Sequence, residues 1–248
     1  MELNKIYNED CLEGMKRIPD KSVDMILCDL PYGTTACKWD TIIPLDKLWE
    51  QYERVIKDNG AIVLTASQPF TTTLISSNMG KFRYCWQWVK TRPTGFMNAN
   101  KMPLKNNEDI CVFYKKMPVY NPQGIKVAGV KNKRKKDKKT TVYSNMGIKE
   151  GEYIQKFTNY PTQILKIGSE SKTIHPTQKP VALFEYLIKT YTNEGETVLD
   201  NCMGSGTTAI ACINTNRNYI GFELDKEYYE LSNNRIKEFI SEKELTNK

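Results

Sequence analysis

Apolar positions along the chain recur in two periods. The stretches "NKIYNED" (4–10) and "SVDMILCD" (22–29) read as strands, the second a nearly unbroken apolar run suited to a sheet buried on both faces. "CLEGMKRI" (11–18) between them predicts a helical turn. In "LDKLWEQYERVI" apolar residues fall at 45, 48, 52, 55 and 56, a helical spacing, and "KDNG" after it reads as a glycine C-cap. "AIVLTA" (61–66) then predicts a buried strand, "QPFTTTLISSNMG" a helix, and "YCWQWVK" (84–90) and "EDICVFYKK" (108–116) two alternating aromatic-rich strands. From about 117 to 172 the patterning dissolves into Pro, Gly, Asn, Lys and Thr, and no element is predicted.

Regular patterning returns with a helix over 179–192, a strand "ETVLD" (196–200), a helix over 207–215, a strand over 218–224 and a closing helix over 226–243. Strands alternating with helices predict an α/β fold whose parallel or mixed sheet is covered on both faces. The predicted organisation is one body formed by 1–116 and 173–248, interrupted by a middle region, 117–172.

Composition narrows the class. At 248 residues there is room for one large domain, or one with a sizeable insertion. The seven cysteines are scattered and never spaced as CxxC, which speaks against a disulfide framework and a structural zinc site. His175 is the one histidine, so no histidine-based metal centre is expected. No apolar stretch reaches the length of a membrane span and residues 1–10 carry no signal-peptide pattern, so a soluble cytoplasmic protein is expected.

Charge changes the picture more. Residues 81–180 carry 21 Lys/Arg against 6 Asp/Glu, while the rest of the chain carries 15 against 23. An acidic body therefore holds a basic middle, densest at Lys131, Lys133, Arg134, Lys135, Lys136, Lys138 and Lys139. That run alone is equally a solvated loop. The excess over a hundred residues favours a phosphate backbone as partner.

"VLDNCMGSGTTA" (198–209) is a strand, a Gly-x-Gly turn and a helix start. Gly204 and Gly206 permit a tight bend, and the amides of Ser205, Gly206, Thr207 and Thr208 open a helix N-terminus toward an anion. Glu223, ending the next strand, can accept from ribose hydroxyls. This spacing also satisfies the dinucleotide fingerprint, so NAD competes as the ligand. Only one strand follows the turn, however, and the missing strands have to come from the start of the chain. A permuted nucleotide-binding fold results.

With Asp29-Leu30-Pro31-Tyr32 early, "HPTQKP" at 175–180 and Asp200…Gly204-Ser205-Gly206-Thr207 late, the chain resembles the beta class of amino-methylating DNA methyltransferases. The resemblance covers residues 4–116 and 173–240. It implies a permuted Rossmann-like methyltransferase fold, S-adenosylmethionine as cofactor, duplex DNA as substrate and 117–172 as an inserted target-recognition region. Restriction–modification, with a partner endonuclease, is the implied setting, and homodimers occur in the class. The cofactor set it implies is Asp10 at the adenine, Glu223 at the ribose, Thr177 and Lys179 toward the methionine end, Asp200 near the ammonium, Gly204, Ser205, Gly206 and Thr207 at the carboxylate, and Asp29 beside the reacting methyl.

The implied chemistry asks for these residue types. An exocyclic amino nitrogen is a weak nucleophile because its lone pair is delocalised into the ring. Asp29 accepting one N–H and the Leu30 carbonyl the other favour a pyramidal nitrogen, so positioning and electrostatics carry the reaction. Tyr32 would stack on a base taken out of the duplex, and Pro31 stiffens the turn. Two departures stand out: Leu30 where the family usually has Pro, and Met203 where it commonly has Phe. Trp39 and Asp40 gate the pocket or simply pack the loop.

Asp at position 29 fits adenine N6 better than cytosine N4, where the family more often shows Ser. N4-cytosine methylation, an RNA substrate, a catalytically silent DNA-binding module and an NAD-dependent oxidoreductase are the competing readings.

Overall fold

A computed structural model describes residues 1–34, 37, 40–134, 151–170 and 178–246. Two compact units emerge, one formed by Met1–Asn121 with Gln163–Lys248, the other by Pro122–Thr162.

The larger unit begins with β1 (Lys5–Asn8), the short helix α1 (Cys11–Met15) and β2 (Val23–Asp29). Asp10 caps α1, its carboxylate accepting from the amides of Leu12 at 2.8 Å and Glu13 at 3.3 Å. There follow α2 (Leu45–Val55), β3 (Ile56–Ala66), α3 (Phe70–Ser77), β4 (Phe82–Thr94) and β5 (Lys105–Phe113). The smaller unit contributes β6 (Lys126–Arg134) and β7 (Gly151–Thr158). The larger then resumes with β8 (Ile164–Lys166), α4 (Val181–Tyr191), β9 (Thr197–Asp200), α5 (Thr207–Asn214), β10 (Asn218–Glu223) and α6 (Lys226–Thr246).

The larger unit's eight strands lie in the order β1-β10-β9-β2-β3-β5-β4-β8. All pairings are parallel except those of β5, which runs against both neighbours. The two strands from the end of the chain, β9 and β10, enter between β1 and β2. This is the sheet closed from both ends of the chain that the position of the glycine turn predicts.

Strand alternation sends side chains to two apolar cores. Met25 and Leu27 of β2 pack on one face with Leu183, Phe184 and Leu187 of α4 and Ala209 and Ile210 of α5. Ile26 and Cys28 pack on the other with Met15 of α1, Leu48, Tyr52 and Val55 of α2 and Leu74 of α3. The apolar run of β2 is thus a strand covered on both sides.

Two local expectations are corrected. "KDNG" does not cap α2; the helix ends at Val55 and residues 57–60 lie inside β3. Pairing passes from Val23↔Ile56 to Met25↔Ala61, so those four residues bulge opposite Asp24. The Lys57 ammonium reaches the Asp24 carboxylate at 2.5 Å there, and a Cβ at Gly60 would stand 2.7 Å from the Asp24 carbonyl oxygen. The stretch 117–172, read as irregular, contains three strands among its described residues. In the smaller unit β6 and β7 form an antiparallel pair whose described side chains are largely exposed on both faces, so no alternation betrays them. β8 adds to the main sheet beside β4. Among the described residues no helix is long and apolar enough to cross a membrane, and no group of three or more His, Cys, Asp or Glu side chains could hold a metal ion.

Candidate active site

The parallel strands deliver their last residues to one edge, the C-terminal edge where ligands bind in open α/β sheets. Asp29 ends β2, Asp200 ends β9 and Glu223 ends β10. A cavity of about 1250 Å³ opens along it in the larger unit. Its wall includes Asp29, Leu30, Pro31 and Tyr32 after β2, Asp200, Gly204, Ser205 and Thr207 after β9, Glu223 at the end of β10, Asp10 after β1, and Lys179 beside Asp29.

Asp29 is held by hydrogen bonds to both of its oxygens and keeps acceptor capacity toward the cavity. Its Oδ1 accepts from the Tyr32 hydroxyl at 2.8 Å and from the Thr65 hydroxyl, and its Oδ2 from the Lys179 ammonium at 2.6 Å. Lys179 comes from the residues just before α4, 150 positions away, and is buried. Its ammonium also lies 3.4 Å from Glu108 Oε2, while Glu108 Oε1 meets the Lys90 ammonium at 2.5 Å. Tyr32 stacks on Phe70 with ring centroids 5.3 Å apart and planes 23° apart. Burial, then the nearby Asp29 and Glu108 carboxylates, raises its phenol well above the usual tyrosine range. Asp40 is buried and organises the loop, accepting from the amides of Gly33 at 2.8 Å and Thr34 at 2.9 Å.

The glycine turn opens α5. Gly204 and Gly206 both have positive φ, +52° and +78°. Beside Gly206 a Cβ would also meet Ser232 and Ile236 of α6 at 3.3 Å, so this position wants glycine for conformation and for space. The Gly206 amide turns inward to the Met203 carbonyl at 2.9 Å, so its role is to shape the turn. Met203 is buried, lines the cavity and packs over Gly221 of β10.

Two acids flank the turn. Asp200 is buried and accepts from the Cys202 amide at 3.0 Å and from the Thr208 hydroxyl; burial pushes its carboxyl up to about 6. Glu223 accepts from the amides of Gly204 at 2.7 Å and Asp225 at 2.9 Å, and burial raises it too. Neither forms an ion pair with a Lys or Arg among the described residues. One buried and one half-buried carboxylate, with no Lys or Arg paired to them among the described residues, beside a turn of backbone donors, fit a zwitterionic ligand carrying additional positive charge. S-adenosylmethionine, with its ammonium, carboxylate and sulfonium, is such a ligand.

Three participants are missing from the sequence reading. Glu108 and Lys90 stand at opposed ends of aromatic strands and look like ordinary surface charges. Arg235 of α6 reaches the turn from behind, donating to the Ser205 carbonyl at 2.9 Å and to the Thr207 hydroxyl at 3.2 Å. Thr177, His175 and Trp39 lie outside the described residues, as do Lys135, Lys136, Lys138 and Lys139. Lys131 and Lys133 are exposed on β6, which ends at Arg134; Lys133 lies 3.5 Å from Glu152.

A glycine turn with an acid on the next strand suits two cofactors, and comparison with solved structures separates them. This is the fold of the S-adenosylmethionine-dependent methyltransferases. The crystal structure of the M1.HpyAVI–SAM complex superposes with a TM-score of 0.64 at 29% identity, over 93% of this chain and 98% of that one. The chain belongs to the DNA methylase family of N6/N4 amino-methyltransferases, whose family model matches residues 23–234. It is 33% identical to the Type II methyltransferase M.BglII of Bacillus subtilis, over 93% of this chain and 68% of that protein. Identity to the Type II methyltransferase M.HpaI of Haemophilus parainfluenzae is 26%, over 94% and 74%. The cytosine-N4-specific PvuII DNA methyltransferase shares the fold, with a TM-score of 0.68 at 15% identity over 92% of this chain and 84% of that one.

Proposed function

We propose that this enzyme transfers a methyl group to the N6 amino group of adenine in duplex DNA, at a base rotated out of the helix, within a restriction–modification system that includes a partner endonuclease. One observation carries the reading. The Asp29 carboxylate and the glycine turn line the same cavity, at the ends of strands that pair directly, Ile26 lying beside Leu199. An acceptor for an amino group and a binding turn for the methyl donor therefore face one space.

S-adenosylmethionine supplies the methyl group from a positively charged sulfur. Asp29 accepts one amino N–H and the Leu30 carbonyl the other, directing the nitrogen lone pair at the methyl carbon. The base slides against Tyr32, whose other face rests on Phe70. Leu30 is compatible with this role because position 30 acts through its backbone; its side chain is buried. Asp10 and Glu223 hold the nucleoside part of the cofactor. Asp200 faces its ammonium, and the free amides of the 204–208 turn face its carboxylate, with Thr177 and Lys179 at the methionine end. Preorganised donors and acceptors in a partly dry cavity supply the acceleration, with no strong base required. The residues of 117–172 read the target, the basic run of 131–139 holding phosphates.

Adenine is favoured by Asp at position 29, where the resemblance implies Ser more often in cytosine-N4 enzymes; the carboxylate itself can accept an amino proton from either base. The test is a nucleoside digest of mixed-sequence duplex DNA after incubation with methyl-labelled S-adenosylmethionine, read by mass spectrometry beside an Asp29→Ala control. Label in N6-methyladenine that disappears in the control is the expected result. Label in N4-methylcytosine would keep the mechanism and change the base. Bound cofactor without transfer would leave a silent fold, an RNA substrate or a recognition site missing from the DNA.

A further inference from the structure

The hairpin between β4 and β5 closes with a tip unlike the rest of the larger unit. Thr94 pairs with Lys105, and the ten residues 95–104 lie beyond that pair. Three of them are large apolar side chains held in solvent: Phe96 is 67% exposed, Met97 98% and Met102 57%. Single exposed apolar residues are ordinary; three on one short tip mark a contact surface. The tip has defined local structure. Gly95 takes φ +90°, and Phe96–Asn98 form a 3-10 turn braced by hydrogen bonds from Lys101 and Met102 to the Asn98 carbonyl at 2.8 and 3.0 Å.

Two further observations name the partner. Between residues 91 and 107 the chain carries Arg92, Lys101 and Lys105 and no Asp or Glu, a charge suited to phosphates. The base of the hairpin also belongs to the active-site cavity, whose wall includes Arg92, Pro93, Thr94 and Lys105. The apolar tip thus stands at the mouth of the space that takes the target base. Enzymes acting on an extruded base must offset lost stacking, and apolar side chains inserted between base steps do so.

We propose that the tip of the β4–β5 hairpin inserts into duplex DNA beside the target, Phe96 and Met97 occupying the gap the extruded base leaves. Arg92, Lys101 and Lys105 hold the flanking phosphates. The inference rests on the methyl-transfer reading of the cavity and adds the element that opens the duplex.

Its test starts from the site that the wild-type enzyme methylates on mixed-sequence duplex DNA, mapped by sequencing. A short duplex carrying that site is made with the target base paired, and again with the target base mismatched. The Phe96→Ala/Met97→Ala enzyme is expected to lose about tenfold or more in kcat/KM on the paired duplex and less than about threefold on the mismatched one, because a mismatched base extrudes at lower cost. S-adenosylmethionine affinity and melting temperature stay at wild-type values, since both side chains lie in solvent. The Phe96→Trp/Met97→Leu enzyme keeps an apolar wedge and retains activity on the paired duplex. Equal losses on both duplexes, or none on either, overturn the inference. So does self-association that the double alanine variant abolishes while kcat/KM on paired DNA is unchanged, which gives the tip to a second copy of the chain. A wild-type enzyme that transfers no methyl group sinks the reading of the cavity, and the wedge with it. An active wild type with unaffected variants sinks the wedge alone.

Discussion

The Lys179 ammonium sits between two carboxylates, 2.6 Å from Asp29 Oδ2 and 3.4 Å from Glu108 Oε2. Burial by itself would lower the lysine, yet Asp29 and Glu108 outweigh it and leave its pKa raised, so the group stays charged. Its removal leaves Asp29 without its cation and Glu108 with Lys90 alone. Lys179→Met is predicted to destabilise the fold by ~3–5 kcal/mol, the cost of breaking a buried ion pair from one side. Adding Glu108→Gln should recover part of that loss. Urea unfolding measures both, and a Lys179→Met protein as stable as wild type would remove the ion pair from the account.

Glu108 gives this cluster an acid limit. Burial pushes its carboxyl up, but Lys179 and Lys90 overcome that and hold it below its ordinary value of 4.5. A depressed carboxyl contributes stability above its unfolded pKa and loses it as pH falls through the folded one. Wild-type stability should therefore drop on acidification below about 4.5, and the Glu108→Gln protein should show a shallower drop over the same range. Parallel acid-unfolding curves for the two proteins would contradict this.

Asp200 behaves in the opposite sense. Its carboxyl is raised from 3.8 to about 6, so the folded state binds the proton more tightly than the unfolded chain. Its stabilising contribution is full below 3.8 and is lost as pH rises through about 6. If Asp200 faces the cofactor ammonium, affinity for S-adenosylmethionine rises over the same interval, about tenfold weaker one pH unit below the midpoint. Calorimetric Kd values across that range check it, with Asp200→Asn expected to be weak and pH-independent. A wild-type Kd flat through pH 6 would separate Asp200 from the ammonium.

Gly206→Ala places a Cβ at φ +78° and 3.3 Å from Ser232 and Ile236. The conformational cost alone is roughly 1–2 kcal/mol. Because the same residue shapes the turn, cofactor Kd should rise together with the loss in thermal stability. Stability falling with Kd unchanged would make the glycine a packing residue only.

Replacing Lys131, Lys133, Arg134, Lys135, Lys136, Lys138 and Lys139 with Gln is predicted to weaken binding to all duplex sequences alike and to flatten the dependence of affinity on salt. Filter binding on unrelated duplexes over a salt series measures both. A loss confined to the methylated sequence would make the run a base reader.

Much of the fold is legible along the chain because its sheet is buried on both faces. β2, the 61–66 part of β3 and β9 are mainly apolar runs with no polar face to maintain, and α2 carries a helical stripe over Leu48, Tyr52 and Val55. The late glycine turn, with one strand after it, already implies that the sheet borrows strands from the other end. Asp29–Tyr32 and 204–207 stand out because a carboxylate, a proline and an aromatic at a strand end, or paired glycines before a helix, are poor choices for packing alone.

What local pattern could not carry, the tertiary structure decided. β6 and β7 pair through backbone hydrogen bonds with their described side chains largely exposed on both faces, so no period of two marks them. Lys57–Gly60 resembles a helix cap until pairing with β2 makes it a bulge opposite Asp24. The contacts from Glu108 to Lys179 and from Arg235 to Ser205 join residues 71 and 30 positions apart. Such partners are chosen by where strands and helices end in space. Hydrophobic periodicity reports which side of each element is buried; the charges that meet at an edge depend on the order in which the sheet assembles its strands.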